Sequence, residues 1–298
     1  MKSSIGFIGL GIMGTPMCRH LLAQGLNVIV NDINPEAVKR AVSKGAKSAS
    51  LKELAQECEI IFTILPDGEV VEDVIFGENG LVNFLAKGTL VVDMSSVEPS
   101  RSISMSKRLS KIDVAFLDAP VSGGEPKAIE GTLAFMVGGS ENDFMRACPY
   151  FEIMGSVATL VGPAGTGSVT KLANQIIVNL NIAAMSEALV FVTAAGANPQ
   201  KVYEAIRGGL AGSTVLDAKA LKVIDRNFEP GATISINHKD LNNVLSLSHN
   251  LGIPMPFTAQ LYEIMQYLKI SGSFEEDHCA IVKYFEEFAQ TKVDCKDN

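Results

Sequence analysis

The strongest constraint on how this chain folds sits near its start. An apolar run at residues 5–8 leads into Gly9-Leu10-Gly11-Ile12-Met13-Gly14, an amphipathic stretch follows at 13–24, and Asp32 ends a second apolar run at 27–31. A glycine hexamer alone is a weak signal, because such hexamers arise by chance. Between a strand and a helix, with an acidic residue 18 positions after its last glycine, it becomes the fingerprint of a dinucleotide-binding βαβ unit. Each part has a physical task. The glycines let the backbone approach a pyrophosphate, the helix N-terminus offers unpaired N–H groups and the positive end of its dipole, and a carboxylate at position 32 accepts from ribose hydroxyls. The bland alternative is a tight strand-to-helix turn with no ligand.

The alternation of short β-branched runs with amphipathic stretches continues through the first half. Strands are expected at residues 5–8, 27–31, 60–64, 89–93, 115–119, 134–137 and 158–161. Helices are expected at 13–24, 35–44 and 50–58, the first two closed by Gly25 and Gly45. This is the pattern of a mostly parallel sheet covered by helices. It changes at Gly162-Pro163-Ala164-Gly165-Thr166-Gly167, a breaker cluster, after which one helical run extends over 168–195 and stops at Gly196. Helices alone follow, at 199–207, 215–226, 236–251, 256–268 and 277–291. The expected architecture is an α/β, Rossmann-type domain over 1–163 and an all-helical domain over 164–298, joined by the long helix 168–195.

Composition excludes several other classes. The 298 residues exceed what one hydrophobic core usually holds, and 47% hydrophobic against 19% charged residues is the balance of a chain that folds throughout. A net charge of −8 with scattered lysines and arginines argues against nucleic acid as a partner. Cys18, Cys58, Cys148, Cys279 and Cys295 are odd in number and contain no C-x-x-C, which points to a reducing compartment, the cytoplasm, and away from disulfides or a zinc ribbon. No signal-like charged region precedes residues 5–8, so the chain is expected to enter a strand directly. Residues 176–195 are long and apolar enough for a bilayer but carry Asn179, Asn181, Ser186 and Glu187, and read as a buried helix. Neither a membrane partner nor a metal is expected. His20, His249 and His278 have no ligand spacing, and Asp277-His278-Cys279 would point its side chains in different directions on a helix.

Four further segments carry candidate chemistry. Leu65-Pro66-Asp67 and Asp93-Met94-Ser95-Ser96 follow strands, where ligands of open α/β sheets collect, so Leu65, Pro66 and Ser96 should border the cofactor. Ser95 and Ser96 could instead merely cap a helix before Glu98-Pro99. Asp118-Ala119-Pro120-Val121-Ser122-Gly123-Gly124 ends in a hydroxyl and two side-chain-free N–H groups, a cradle for a carboxylate, or a plain glycine turn. Lys171 opens the long helix, sharing a face with Asn174, Gln175 and Asn181, which suits a proton donor to a developing alkoxide with Asn174 holding a substrate hydroxyl. An arbitrary lysine there would more often be solvated. Lys239, in His238-Lys239-Asp240, either reaches the cofactor or forms an ordinary surface pair with Asp240.

The glycine hexamer with its flanks, the Asp118–Gly124 segment, Gly167-x-x-x-Lys171 and Lys239-Asp240 together resemble the β-hydroxyacid dehydrogenase family, in order and across essentially the whole chain. The resemblance implies Rossmann-type cofactor binding at Gly9, Leu10, Gly11, Ile12, Met13 and Gly14; Asp32, a carboxylate where a ribose 2′-hydroxyl would sit with no arginine at 33 or 34, makes NAD the expected cofactor and NADP the alternative. It further implies Ser122, Gly123 and Gly124 on the substrate carboxylate, Lys171 as catalytic acid or base, and Lys239 near the nicotinamide. Residues 123–133 and 207–219 look like the branch that reduces a three-carbon oxo acid, tartronate semialdehyde, to D-glycerate. Oxidation of 3-hydroxyisobutyrate, a succinic semialdehyde specificity, and a non-catalytic dinucleotide-binding module are the alternatives. Many relatives place Asn four residues after the lysine, whereas this chain has Asn174 at three and Gln175 at four; Asn174 is the favoured substrate contact. Ser96 stands where many relatives carry Thr and keeps the hydroxyl at the substrate. Apolar residues on several faces of the long helix also lead to an expected homo-oligomer, a dimer or tetramer.

Overall fold

β-Branched and aromatic residues that alternate across a pleat build the first of two units, Met1–Lys171. In the computed structural model, which describes residues 4–294, that unit runs β1 (Ser4–Ile8), α1 (Gly14–Ala23), β2 (Val28–Asn31), α2 (Pro35–Val42), β3 (Lys47–Ser48), α3 (Leu51–Glu57), β4 (Cys58–Thr63), α4 (Gly68–Phe76), β5 (Leu90–Asp93) and α5 (Pro99–Ser110). It continues as β6 (Ala115–Asp118), β7 (Val121–Ser122), α6 (Gly124–Glu130), β8 (Leu133–Gly138), α7 (Glu141–Met154) and β9 (Gly155–Gly162), and then enters α8 (Thr166–Ala194). Cys295 lies outside the described residues.

Among the described residues the strands form one sheet in the order β3-β2-β1-β4-β5-β6-β8-β7, with β9 paired to β8. The first six strands are parallel, β8 is antiparallel to β6 and β7, and β9 is parallel to β8. The strand order reverses at β1, which lies between β2 and β4, and such a reversal opens a ligand crevice at the carboxyl ends of the strands. Both faces are covered. Phe7, Val30, Phe62, Val92 and Phe135 pack on α1 and α7 through Met17, Leu21 and Phe151, while Ile29, Ile61, Val91 and Phe116 pack on α3, α4 and α5 through Leu54, Ile75 and Met105. Burial on both sides is why these strands read as continuous apolar runs.

Local chemistry sets the helix ends. Asn34 caps α2 by accepting from Glu36 N, Ser50 and Glu53 form a capping box on α3, and Gly25 and Gly45 adopt φ of 71° and 105° after α1 and α2. The two-residue strands β3 and β7 are additions to the expected set, too short to leave a periodic signal.

The second unit, Leu172–Asn298, holds the rest of α8 with α9 (Pro199–Ile206), α10 (Thr214–Ile224), α11 (Ile234–Leu251), α12 (Pro256–Ile270) and α13 (Val282–Ala289). Its core includes Ile182, Leu189, Ala220, Val223, Leu241, Met265 and Ile281. Two expectations need correction. The helix expected over 277–291 starts as a 3-10 turn at His278–Ile281, because Asp277 caps it and accepts from Cys279 N. The long helix is less enclosed than its composition suggested: a third of its most apolar 18-residue window is buried. Its polar Asn179 and Ser186 are fully buried while Ile177 and Phe191 are 63% and 71% exposed. By length and composition alone this helix could cross a membrane.

Candidate active site

The three glycines of the first turn are glycines for different reasons. Gly9 has a φ of 98°, and a Cβ on it would strike the Ile64 carbonyl oxygen; a Cβ on Gly14 would strike the carbonyl of Gly9. The fold itself demands those two. Gly11 is exposed, and a Cβ on it would meet nothing within 4 Å. Nothing in the chain requires glycine there, whereas a ligand lying against the backbone does. Helix α1 begins with neither a side-chain cap nor an acidic residue in its first turn, so its positive end suits a phosphate. Leu10 is buried beneath the turn, Met13 is half-buried and Ile12 is exposed. The residues present therefore fit a dinucleotide.

Asp32 is half-buried at the end of β2. Its Oδ2 accepts from Leu10 N at 2.5 Å and its Oδ1 from Asn34 N at 2.6 Å, so the carboxylate is aimed by the glycine turn itself. Ile33 beside it is fully exposed, and Lys39 is engaged by Glu36 at 2.8 Å.

The loops after β4 and β5 are tied together from below. Thr63 Oγ1 and Ser95 N both donate to Asp93 Oδ1, at 2.8 and 3.1 Å, and Leu65 N donates to Ser95 Oγ at 2.8 Å. Asp93 is fully buried, its Oδ2 has no partner, and burial pushes its carboxyl above the ordinary range. These bonds fix the Leu65-Pro66 and Ser95-Ser96 backbones at the carboxyl ends of β4 and β5. Helix α5 starts at Pro99 with Glu98 as its N-cap, so capping is not the task of Ser95 or Ser96.

Between β7 and α6, Gly123 and Gly124 hold φ of 137° and 67°, conformations that side-chain-bearing residues avoid. Ser122 and Gly124 are half-buried and Gly123 is exposed. His20 Nε2 lies 3.1 and 3.0 Å from the Ala128 and Ile129 carbonyls, so α1, which carries the glycine turn, also braces the helix behind this loop. Lys171 is half-buried in the second turn of α8. The start of that helix is held by Asp118, whose role the sequence does not reveal: its partners are backbone N–H groups about fifty positions away.

Within the second unit, buried Gln175 donates from Nε2 to Asn237 Oδ1 at 3.2 Å and to Asp240 Oδ2 at 2.7 Å. Asn174 Nδ2 donates to Gln175 Oε1 at 2.9 Å and is half-buried. Gln175 is thus committed to a buried network, and Asn174 is the more accessible carboxamide. Lys239 Nζ lies 3.6 Å from Asp240 Oδ1. His238 stacks on Tyr262 at 4.3 Å, and burial lowers its pKa. Burial pushes the Cys18, Cys58 and Cys279 thiols up to about 12, which makes them poor nucleophiles. Two open surface hollows, one lined by Asn242, His249 and Glu263 and the other by Ile103, Lys107 and Ser140, contain none of these site residues.

Residues 4–162 match the family described as the NAD binding domain of 6-phosphogluconate dehydrogenase, and residues 165–285 the family described as NAD-binding of NADP-dependent 3-hydroxyisobutyrate dehydrogenase. The chain is 43% identical over 290 residues to the 2-hydroxy-3-oxopropionate reductase of Escherichia coli (strain K12), covering 97% of this chain and 99% of that protein. It is 35% identical to 2-(hydroxymethyl)glutarate dehydrogenase of Eubacterium barkeri, covering 97% of each. Among solved structures, a 3-hydroxyisobutyrate dehydrogenase of Mycobacterium tuberculosis with L-serine is similar at a TM-score of 0.87 and 27% identity, over 95% of this chain and 99% of that one.

Proposed function

Because the chain belongs to the 3-hydroxyisobutyrate dehydrogenase-like family of NAD(P)-dependent hydroxyacid dehydrogenases, we propose that it reduces tartronate semialdehyde (2-hydroxy-3-oxopropanoate) to D-glycerate. The observation that carries this substrate is the 43% identity to a reductase of that compound along nearly the full length of both chains.

When bound, the nicotinamide supplies the hydride. The remaining work falls to the chain. The Ser122 hydroxyl and the N–H groups of Gly123 and Gly124 receive the substrate carboxylate, which orients a molecule with few other handles. Lys171 gives a proton to the carbonyl oxygen as it becomes anionic and stabilises the charge before transfer. The turn from Gly9 to Gly14, Asp32, and the Leu65-Pro66 and Ser96 backbones hold the dinucleotide. Asn174 and Lys239 keep the roles implied by the family resemblance, at the substrate hydroxyl and near the nicotinamide. Asp32 favours NAD over NADP, because a carboxylate repels a 2′-phosphate and no arginine stands at 33 or 34; of the two cations further along α2, Lys39 is paired with Glu36 and Arg40 is the one left to attract a phosphate. Exposed Ile177, Phe191 and Phe288 support assembly at least to a dimer. The free cysteines Cys18, Cys58, Cys148 and Cys279 suit the cytoplasm.

The test is NADH consumption on a panel of tartronate semialdehyde, methylmalonate semialdehyde and succinic semialdehyde. The three-carbon substrate should show the highest kcat/KM; a preference for either of the others overturns the substrate, and NADH binding without turnover on any of them returns the non-catalytic module. Lys171→Ala should lower kcat and kcat/KM together by about 10² to 10⁴ while NADH affinity stays constant. Retention of more than about a tenth of wild-type kcat removes Lys171 as proton donor.

A further inference from the structure

At the carboxyl end of β6 one buried side chain reaches the start of the helix that carries Lys171. Asp118, 1% exposed, accepts from Gly165 N through Oδ1 and from Ser168 N through Oδ2, each at 2.7 Å. These N–H groups lie just before and within the first turn of α8, where no intrahelical carbonyl can serve them. Hydrogen bonds to a charged acceptor are the stronger kind, and a carboxylate at this end of a helix also favours its dipole. Lys171 follows Ser168 by about one turn.

The contact leaves little slack. A Cβ on Gly138 would come within 2.5 Å of Asp118 Oδ1 and 2.7 Å of Gly167 N, and one on Gly167 would strike the carbonyls of Asp118 and Met136. Ser102 on α5 backs the same turn, its Oγ 3.0 Å from Ser168 Oγ. From Asp118 the chain continues through Ala119 and Pro120 into the Ser122–Gly124 loop. One residue therefore stands at the root of the loop that receives the carboxylate and at the start of the helix that delivers the proton.

We propose that Asp118 is a positioning residue for the reduction: its carboxylate fixes the first turn of α8 against the stem of the Ser122–Gly124 loop and so sets where Lys171 meets the substrate carbonyl. This inference rests on the reading of Lys171 as proton donor. A residue serving packing alone would need no charge here, and the charge is held at a cost. Burial pushes the carboxyl up to about 6, opposed by the Gly165 and Ser168 donors. The groups that face it are those two N–H groups and the Ser168 hydroxyl on α8, Gly138 on β8, Ser102 on α5 behind Ser168, and Asp93, its register partner on β5. Misplacing a reacting group by an ångström can lower a rate about 10²-fold.

Asp118→Asn preserves size but offers one acceptor oxygen in place of two and turns an amide N–H toward backbone donors. With the full chain, tartronate semialdehyde and NADH, kcat should fall at least about tenfold while the NADH Kd stays within about twofold. Wild-type kcat should fall below about pH 6, and that limb should be missing in the variant. A merely structural role would lower thermal stability and leave the shape of the kcat profile unchanged. A kcat within about threefold of wild type, or a limb that persists in Asp118→Asn, overturns the proposal. If the variant does not fold, the wild type decides: the Gly165 and Ser168 amide resonances must titrate together with kcat, and amides that stay put while kcat falls, or a kcat flat from about pH 5 to 8, overturn it equally. Lys171→Ala separates the two readings. Activity in Lys171→Ala defeats the proton-donor assignment, whereas an inactive Lys171→Ala beside a normal Asp118→Asn defeats the positioning role alone.

Discussion

Both units bury carboxyl groups, and they treat them oppositely. In the first, Asp93 and Asp118 are served by hydroxyl and backbone N–H donors, and burial drives both above the ordinary carboxylate range. In the second, burial is again the largest single influence on Asp277, and it is overcome by Lys219 with the Cys279 N–H, so that this carboxyl is held well below its usual value. Lys219 Nζ lies 2.9 Å from both Asp277 oxygens, Lys222 Nζ lies 3.2 Å from Oδ2, and Gly231 N donates to Oδ2 at 3.0 Å. The contrast separates two uses of buried charge. Asp277 gathers α10, the segment before α11 and the 3-10 turn into one body, while Asp93 and Asp118 hold backbone at the ends of strands where the candidate site lies.

The most severe way to break this comparison is Asp277→Ala, which leaves two lysines and several N–H groups without their acceptor. It should cost about 3–5 kcal/mol in urea-induced unfolding. A loss under about 1 kcal/mol would mean that the hub contributes no more than a surface pair.

pH sharpens the comparison through opposite signs. Asp277 has a lowered folded-state pKa, so its stabilisation is present above the unfolded value of 3.8 and is lost as pH falls through the still lower folded value. Asp118 has a raised one, so its contribution is present below 3.8 and is lost as pH rises through about 6, on the order of 2–3 kcal/mol. Unfolding measured at pH values across that window should show a fall in stability with rising pH that is steeper in the wild type than in Asp118→Asn, which keeps the contribution of Asp93. Identical pH dependence in the two proteins would remove Asp118 as its source.

A finer distinction lies within the first glycine turn. Gly14→Ala should destabilise by about 1–3 kcal/mol, because its Cβ displaces the Gly9 carbonyl. Gly11→Ala should leave stability within about 0.5 kcal/mol yet weaken NADH binding, since only a ligand occupies the space beside it. Equal NADH affinity in Gly11→Ala and wild type would contradict the cofactor placement.

Much of this molecule could be read directly from the order of its residues. The strand–glycine–helix start, Asp32, the change at residues 162–167 and the run of helices after it are local or periodic signals, and local sterics and side-chain periodicity act within a few residues. What sequence order could not show depends on groups brought together from far apart. Asp118 reads as the first letter of a loop motif, and it is the fold that sets it under Gly165 and Ser168. Asn174 and Gln175 are neighbours of the same chemistry, and the burial of Gln175 against Asn237 and Asp240 is what distinguishes them. The outward face of α8 is a similar case, since its composition suggested burial and its packing left Ile177 and Phe191 exposed. Composition and spacing determined which elements form and where a dinucleotide could lie against the backbone. Desolvation and long-range hydrogen bonding, which exist only once the sheet and helices have packed, decided which carboxyls are driven above or below their ordinary range, which carboxamide is committed and what holds the start of the helix bearing Lys171.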